Sequence, residues 1–113
     1  MHEMSLAEGV IQVLEQSAAS EGFTRVKTVW LEIGQLSHVE PEAMRFCFDA
    51  VCRNTLAEGA LLEIIELPGT GWCHECSKEF AYQARYEPCP HCGGYQVQMT
   101  GGDEMRIKEL EVE

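Results

Sequence analysis

Two cysteine pairs, Cys73-His74-Glu75-Cys76 and Cys89-Pro90-His91-Cys92, separated by twelve residues, constrain this chain more than any other feature. Each Cys-x-x-Cys knuckle turns two thiolates toward one point and offers backbone N–H groups to the sulfurs. Two such knuckles complete the tetrahedron of soft ligands that Zn(II) favours. The other uses of these thiols are two disulfides, a redox-active pair, or an iron centre held by four sulfurs. Disulfides belong to secreted chains, and no basic region followed by an apolar segment opens this sequence as a leader would. The expected compartment is therefore cytoplasmic, and the expected use of Cys73, Cys76, Cys89 and Cys92 is one structural zinc ion. Four thiolates close its shell, so the metal is expected to supply folding energy rather than catalysis.

The rest of the chain must supply the apolar core. Ser5 with Glu8 three residues on reads as a capping box, and Leu6, Val10, Val13 and Leu14 follow at helical spacing. Gly22 is a stop signal, after which residues 25–33 alternate as a strand with Val29, Leu31 and Ile33 on one face. Pro41 suits the first turn of a second helix carrying Met44, Cys47, Phe48 and Val51. Residues 60–67 read as a strand ended by Pro68-Gly69, and a last strand carries Met105, Ile107, Leu110 and Val112. Residues 70–100 have few aliphatic side chains and look unable to build an apolar core alone. The expected fold is α+β: two helices on a small three-stranded sheet with an inserted zinc-ribbon module. Residues 1–68 with 103–113 form the expected first domain, and 69–102 the ribbon.

Composition removes several functions. Hydrophobic residues at 45% and charged residues at 24% are those of a globular chain rather than a disordered one. Asp and Glu outnumber Lys and Arg by 19 to 8, giving a net charge of −11, and no basic cluster is present to neutralise phosphates. Nucleic acid is thus an unexpected partner, although a ribbon that binds nucleic acid or another protein is the alternative the knuckles by themselves permit. No apolar run reaches the length of a membrane span. No glycine-rich phosphate loop with a lysine and no nucleophile with an adjacent base appears, so an enzyme is not expected. Cys47 and Cys52, five apart on a helix, read as buried free thiols. His74 and His91 read as solvated or supporting groups rather than ligands.

The opening Met1-His2-Glu3 has two readings. It is a solvated terminus, or its amino group, backbone nitrogens and the His2 imidazole wrap a divalent ion in a planar nitrogen set suited to Ni(II) or Cu(II). Met1-His2-Glu3-Met4-Ser5-Leu6, Val29-Trp30-Leu31-Glu32-Ile33-Gly34 and the two knuckles together resemble the HypA/HybF family of hydrogenase maturation proteins, most closely its HybF-type members. The resemblance spans nearly the whole chain. It implies a nickel metallochaperone that helps insert Ni(II) into the large-subunit precursor of [NiFe] hydrogenase, working with the nickel-handling GTPase HypB. It assigns transient nickel cargo to Met1, His2 and Glu3, with Glu40 approaching the same ion, and structural zinc to the four knuckle cysteines. Where some members carry Asp, this chain has Glu40, and where some carry a histidine after each knuckle it has Ser77 and Gly93. A homodimer is left open.

Overall fold

A computed structural model describes residues 2–113. In chain order the elements are α1 (His2–Glu21), β1 (Val26–Gly34), α2 (Pro41–Cys52), β2 (Leu61–Leu67), β3 (Thr70–Cys73), β4 (Lys78–Ala81), β5 (Val97–Gly101) and β6 (Met105–Val112). They form two three-stranded sheets, β2-β1-β6 and β4-β3-β5. This is the α+β architecture expected from the pattern, with two helices, one sheet from the long strands and a second small sheet around the cysteines.

Contacts divide the chain into two compact units. The first comprises Met1–Glu32 from His2 onward, Val39–Ile65 and Arg106–Glu113; the second comprises Ile33–His38 and Glu66–Met105. In the first unit α1 packs on α2. Ala7, Val10, Ile11 and Leu14 are buried at the i, i+3, i+4, i+7 spacing of one helix face, so α1 presents a single apolar stripe. Val26, Val29 and Leu31 of β1, Met44, Cys47, Phe48 and Cys52 of α2, and Ala57 beyond it complete the buried apolar set. β1 is the middle strand, which is why Thr28 is buried too; its hydroxyl donates to Glu111 Oε1 of β6 at 2.7 Å.

Strand directions follow from the hydrogen bonds at the strand ends. The Glu113 amide donates to Arg25 O and the Gly34 amide to Glu104 O, so β6 lies antiparallel to β1. The Val26 amide donates to Leu56 O and the Gln35 amide to Leu67 O, so β2 runs parallel to β1. A parallel pair needs a crossover connection, and α2 provides it. Gly22, with φ +82° and its amide on Ala18 O, stops α1 as read from sequence. Asn54, at φ 62°, follows the last turn of α2.

The expected capping box does not form. α1 begins at His2, and Ser5 lies inside it. The helix extends toward its start because Glu3 is anchored from outside: the Glu40 amide donates to Glu3 Oε2 at 3.2 Å. The partner lies 37 residues from Glu3, outside any local capping motif.

The second unit has its own small core of Leu36, Cys73, Phe80, Tyr82 and Cys89, with Cys76, Val97 and Met99 packed against it. The Phe80 and Tyr82 rings meet edge to face with centroids 5.4 Å apart. Residues 70–100 thus build an apolar centre after all, from aromatics and thiols, completed by Leu36. The segment Ile33–His38, which the sequence division left with the first domain, is held in this unit. The Leu36 amide donates to Gly102 O at 2.7 Å, and the Arg85 guanidinium donates to Leu36 O through Nε and Nη2 at 3.0 and 2.8 Å. Backbones cross here so closely that only glycine fits. A Cβ on Gly34 would strike the Gly102 carbonyl, and Gly102 itself, at φ +92°, lies against Gly69 and Pro68.

Candidate metal centres

The four knuckle thiols are placed by the ends of strands and two tight turns. β3 ends at Cys73, the chain turns through Cys76, and β4 leaves antiparallel with Cys73 opposite Lys78. The Ser77 amide donates to Cys73 O and the Gly93 amide to Cys89 O, each at 2.8 Å. Both turns then need a left-handed residue after the second cysteine: Ser77 has φ 54° and Gly93 φ 73°.

The sulfurs converge. All four lie within 4.8 Å of one another, with Cys73 to Cys92 at 3.7 Å and Cys76 to Cys89 at 4.0 Å. A tetrahedron with metal–sulfur bonds of about 2.3 Å has edges of about 3.8 Å, so the cluster has the size of a Zn(II) tetrathiolate. All six cysteines are free thiols. Backbone N–H groups aim at the sulfurs at 3.4 Å, from Cys76 to Cys73, from His91 to Cys89 and from Gly94 to Cys92. Four thiols this close resist joint ionisation. Burial opposes ionisation of Cys89, but the amides of Cys92 and His91 outweigh it and bring this thiol down to about 7. Its hydrogen bond with Cys92, and then burial, push Cys76 up to about 12. A divalent cation is the partner that lets all four act as thiolates.

The remaining sequence candidates are also placed. The His74 ring is paired through Nε2 with Gln98 Oε1 at 3.2 Å, so it is engaged across the β3–β5 pair. Cys47 and Cys52 are buried in the first unit, and burial followed by the nearby Asp49 pushes the Cys52 thiol up to about 12, an unreactive state. A shallow groove of about 330 Å³ is lined by Pro68, Gly69, Thr70, Glu79, Phe80 and Ala81. At its edge the Thr100 hydroxyl donates to Thr70 Oγ1 at 3.0 Å.

At the start of α1 the structure brings three of the N-terminal candidates together. Met1 lies outside the described residues. His2 is half exposed, and its Nδ1 stands 3.6 Å from Glu3 Oε1. Glu3 is buried at its base, and the Glu40 amide, followed by Glu3's own, holds its carboxyl below the ordinary 4.5. Glu40 caps α2, its Oε1 accepting from the Glu42 amide at 3.2 Å. Residues 3 and 40 are therefore joined through backbone and carboxylate. The sequence offers no spacing rule for a pair 37 residues apart. Glu75 is a further group that sequence reasoning passed over: its Oε2 lies 3.7 Å from Cys92 Sγ. Its place inside the first knuckle was the available signal.

A paired-knuckle thiol cluster in an α+β chain is the arrangement of a metal-binding protein. Over residues 1–112 the sequence matches the family described as "Hydrogenase/urease nickel incorporation, metallochaperone, hypA", and the chain belongs to that family. It is 63% identical over 113 residues to the hydrogenase maturation factor HypA of Albidiferax ferrireducens, covering 100% of both chains. It is 60% identical, with the same coverage, to that of Rhodopseudomonas palustris strain BisA53. Among solved structures it is similar to the solution structure of the Ni metallochaperone HypA from Helicobacter pylori. The TM-score there is 0.71 and the identity 27%, covering 97% of this chain and 96% of that one. These relatives carry the HypA name; the nearer likeness to HybF-type members stays an expectation of the sequence.

Proposed function

We propose that this chain carries Ni(II) at its N-terminus and helps insert it into the large-subunit precursor of [NiFe] hydrogenase, with a nickel-handling GTPase, HypB, as partner and the cytoplasm as its place of work. Met1, His2 and Glu3 supply the nickel donors, and Glu40 stands beside them. Cys73, Cys76, Cys89 and Cys92 hold one structural Zn(II). The observation that carries the nickel reading, beside family membership, is the Glu40 amide on Glu3, which gathers residues 2, 3 and 40 at the exposed start of α1. The first N–H groups of a helix have no carbonyl acceptor within it, so the amides of this turn look to other partners, Glu3's to its own carboxylate. A cargo site on a chain end also suits release, because its ligands detach one at a time and a receiving protein's donors replace them. No helix among the described residues is long and apolar enough to cross a membrane.

The test is a nickel titration of zinc-loaded protein with its native Met1 against a form carrying one extra glycine before Met1. Every side chain survives the extension, but the terminal amine moves. Calorimetry and visible absorption are expected to show nickel binding weakened severalfold or lost in the extended form. Equal binding by both forms sinks the N-terminal site.

A further inference from the structure

The four knuckle thiols are not equivalent. Cys73 and Cys89 are buried at 0% and 1% exposure inside the small core of the second unit, Cys76 is half-buried, and Cys92 is exposed. Water, chelators and competing ligands therefore reach the cluster at Cys92 first. Beside it lies a carboxylate. Glu75 Oε2 is 3.7 Å from Cys92 Sγ, and it is pressed so closely on the turn after Cys92 that a Cβ on Gly94 would stand 2.8 Å from the same oxygen. The Gly94 amide in turn donates to Cys92 Sγ, so thiol, glycine and carboxylate form one local arrangement.

We propose that Cys92 is the exchangeable ligand of this centre and that Glu75 is the carboxylate that holds the ion while Cys92 is off it. The proposal rests on the zinc reading of the cluster. Carboxylate oxygen is an accepted zinc ligand alongside thiolate. In the exchange the bond from zinc to Cys92 sulfur breaks, a bond from zinc to a Glu75 oxygen forms, and the released thiolate takes a proton from water. Three thiolates and one carboxylate carry the same charge as four thiolates, so the coordination shell keeps its net charge of about −2, and the proton on the released sulfur offsets the charge that Glu75 brings into it. Of the two histidines inside the knuckles, His74 is engaged by Gln98. Glu75 is the acidic group in contact with the exposed sulfur.

Two measurements test this on zinc-loaded full-length protein. Limited alkylation with iodoacetamide, mapped by mass spectrometry, is expected to label Cys92 before the other three knuckle cysteines; earlier labelling of Cys73, Cys76 or Cys89 overturns the proposal. Zinc transfer to a chromogenic chelator is then compared among Cys92→Ala, Cys92→Ala with Glu75→Gln, and Cys92→Ala with His91→Ala. Cys92→Ala is expected to keep its zinc, and the added Glu75→Gln to speed its loss about tenfold or more. A speeding by His91→Ala instead, or none by Glu75→Gln, assigns the replacement ligand elsewhere and removes Glu75. Zinc content of the wild-type protein, measured alongside, separates failure of this proposal from failure of the zinc reading itself.

Discussion

Glu3 is the residue in which local helix chemistry and long-range packing meet. An acidic side chain in the first turn of a helix is favoured by the helix dipole, and here it also accepts the Glu40 amide. Its carboxyl sits below the ordinary 4.5 chiefly through that amide. A carboxyl depressed in the folded state contributes stability above the unfolded value and loses it as the pH falls through the folded value. Glu3→Gln is therefore expected to lower the midpoint of thermal unfolding at pH 7, with the deficit against wild type shrinking as the pH drops below 4.5. A deficit that is constant across pH 3 to 7 would show that the charge on Glu3 has no part in the anchor. Residue-scale facts of this kind divide sharply in legibility. The four cysteines could be read from spacing alone, because a knuckle is a local motif. The Glu3 anchor and the Glu75 contact with Cys92 depend on chain segments that meet only after folding.

At the scale of elements, the long ones were legible and the short ones were not. Val10 and Leu14 of the α1 stripe, the burial of Val29, Leu31 and Ile33, and Pro41 at the first turn of α2 each express a period or a dihedral preference written in adjacent residues. Ala7 and Ile11 take the places that the sequence reading gave to Leu6 and Val13, the latter 47% exposed. β3, β4 and β5 have four or five residues each, too few to display a period, and they pair around knuckles whose cysteines replace aliphatic side chains. Leu36 was equally hidden. It sits in a turn after β1, where sequence suggests only a loop, yet it is 3% exposed in the core of the second unit. Leu36→Ala is expected to cost about 2 to 5 kcal/mol of the second unit's stability, as leucine truncations in packed cores do. Tryptophan fluorescence reads it, since Trp72 lies on β3. A cost under about 0.5 kcal/mol would mean that the aromatics and thiols suffice without it.

For the whole molecule, the two units differ in what holds them together. The first buries aliphatic side chains from two helices and a central strand. The second has Leu36, Phe80 and Tyr82 for apolar mass, and two of the five buried members of its core are metal-ligand candidates, Cys73 and Cys89. Its four thiols crowd within 4.8 Å, and the hydrogen bond with Cys92, followed by burial, pushes Cys76 up to about 12. The zinc proposed for this cluster thus stands where a larger core would stand in a bigger domain, and its binding energy is folding energy. Removal of the metal by a strong chelator under reducing conditions is expected to abolish hydrogen-exchange protection in residues 70–101 while α1 and α2 keep theirs. Re-addition of one equivalent of Zn(II) is expected to restore it. Loss of protection throughout the chain at once would mean that the two units fold as a single cooperative block. Retained protection in β3 and β5 after complete removal of metal would show that the aromatic core folds the ribbon unaided, and that the cluster serves something other than structure.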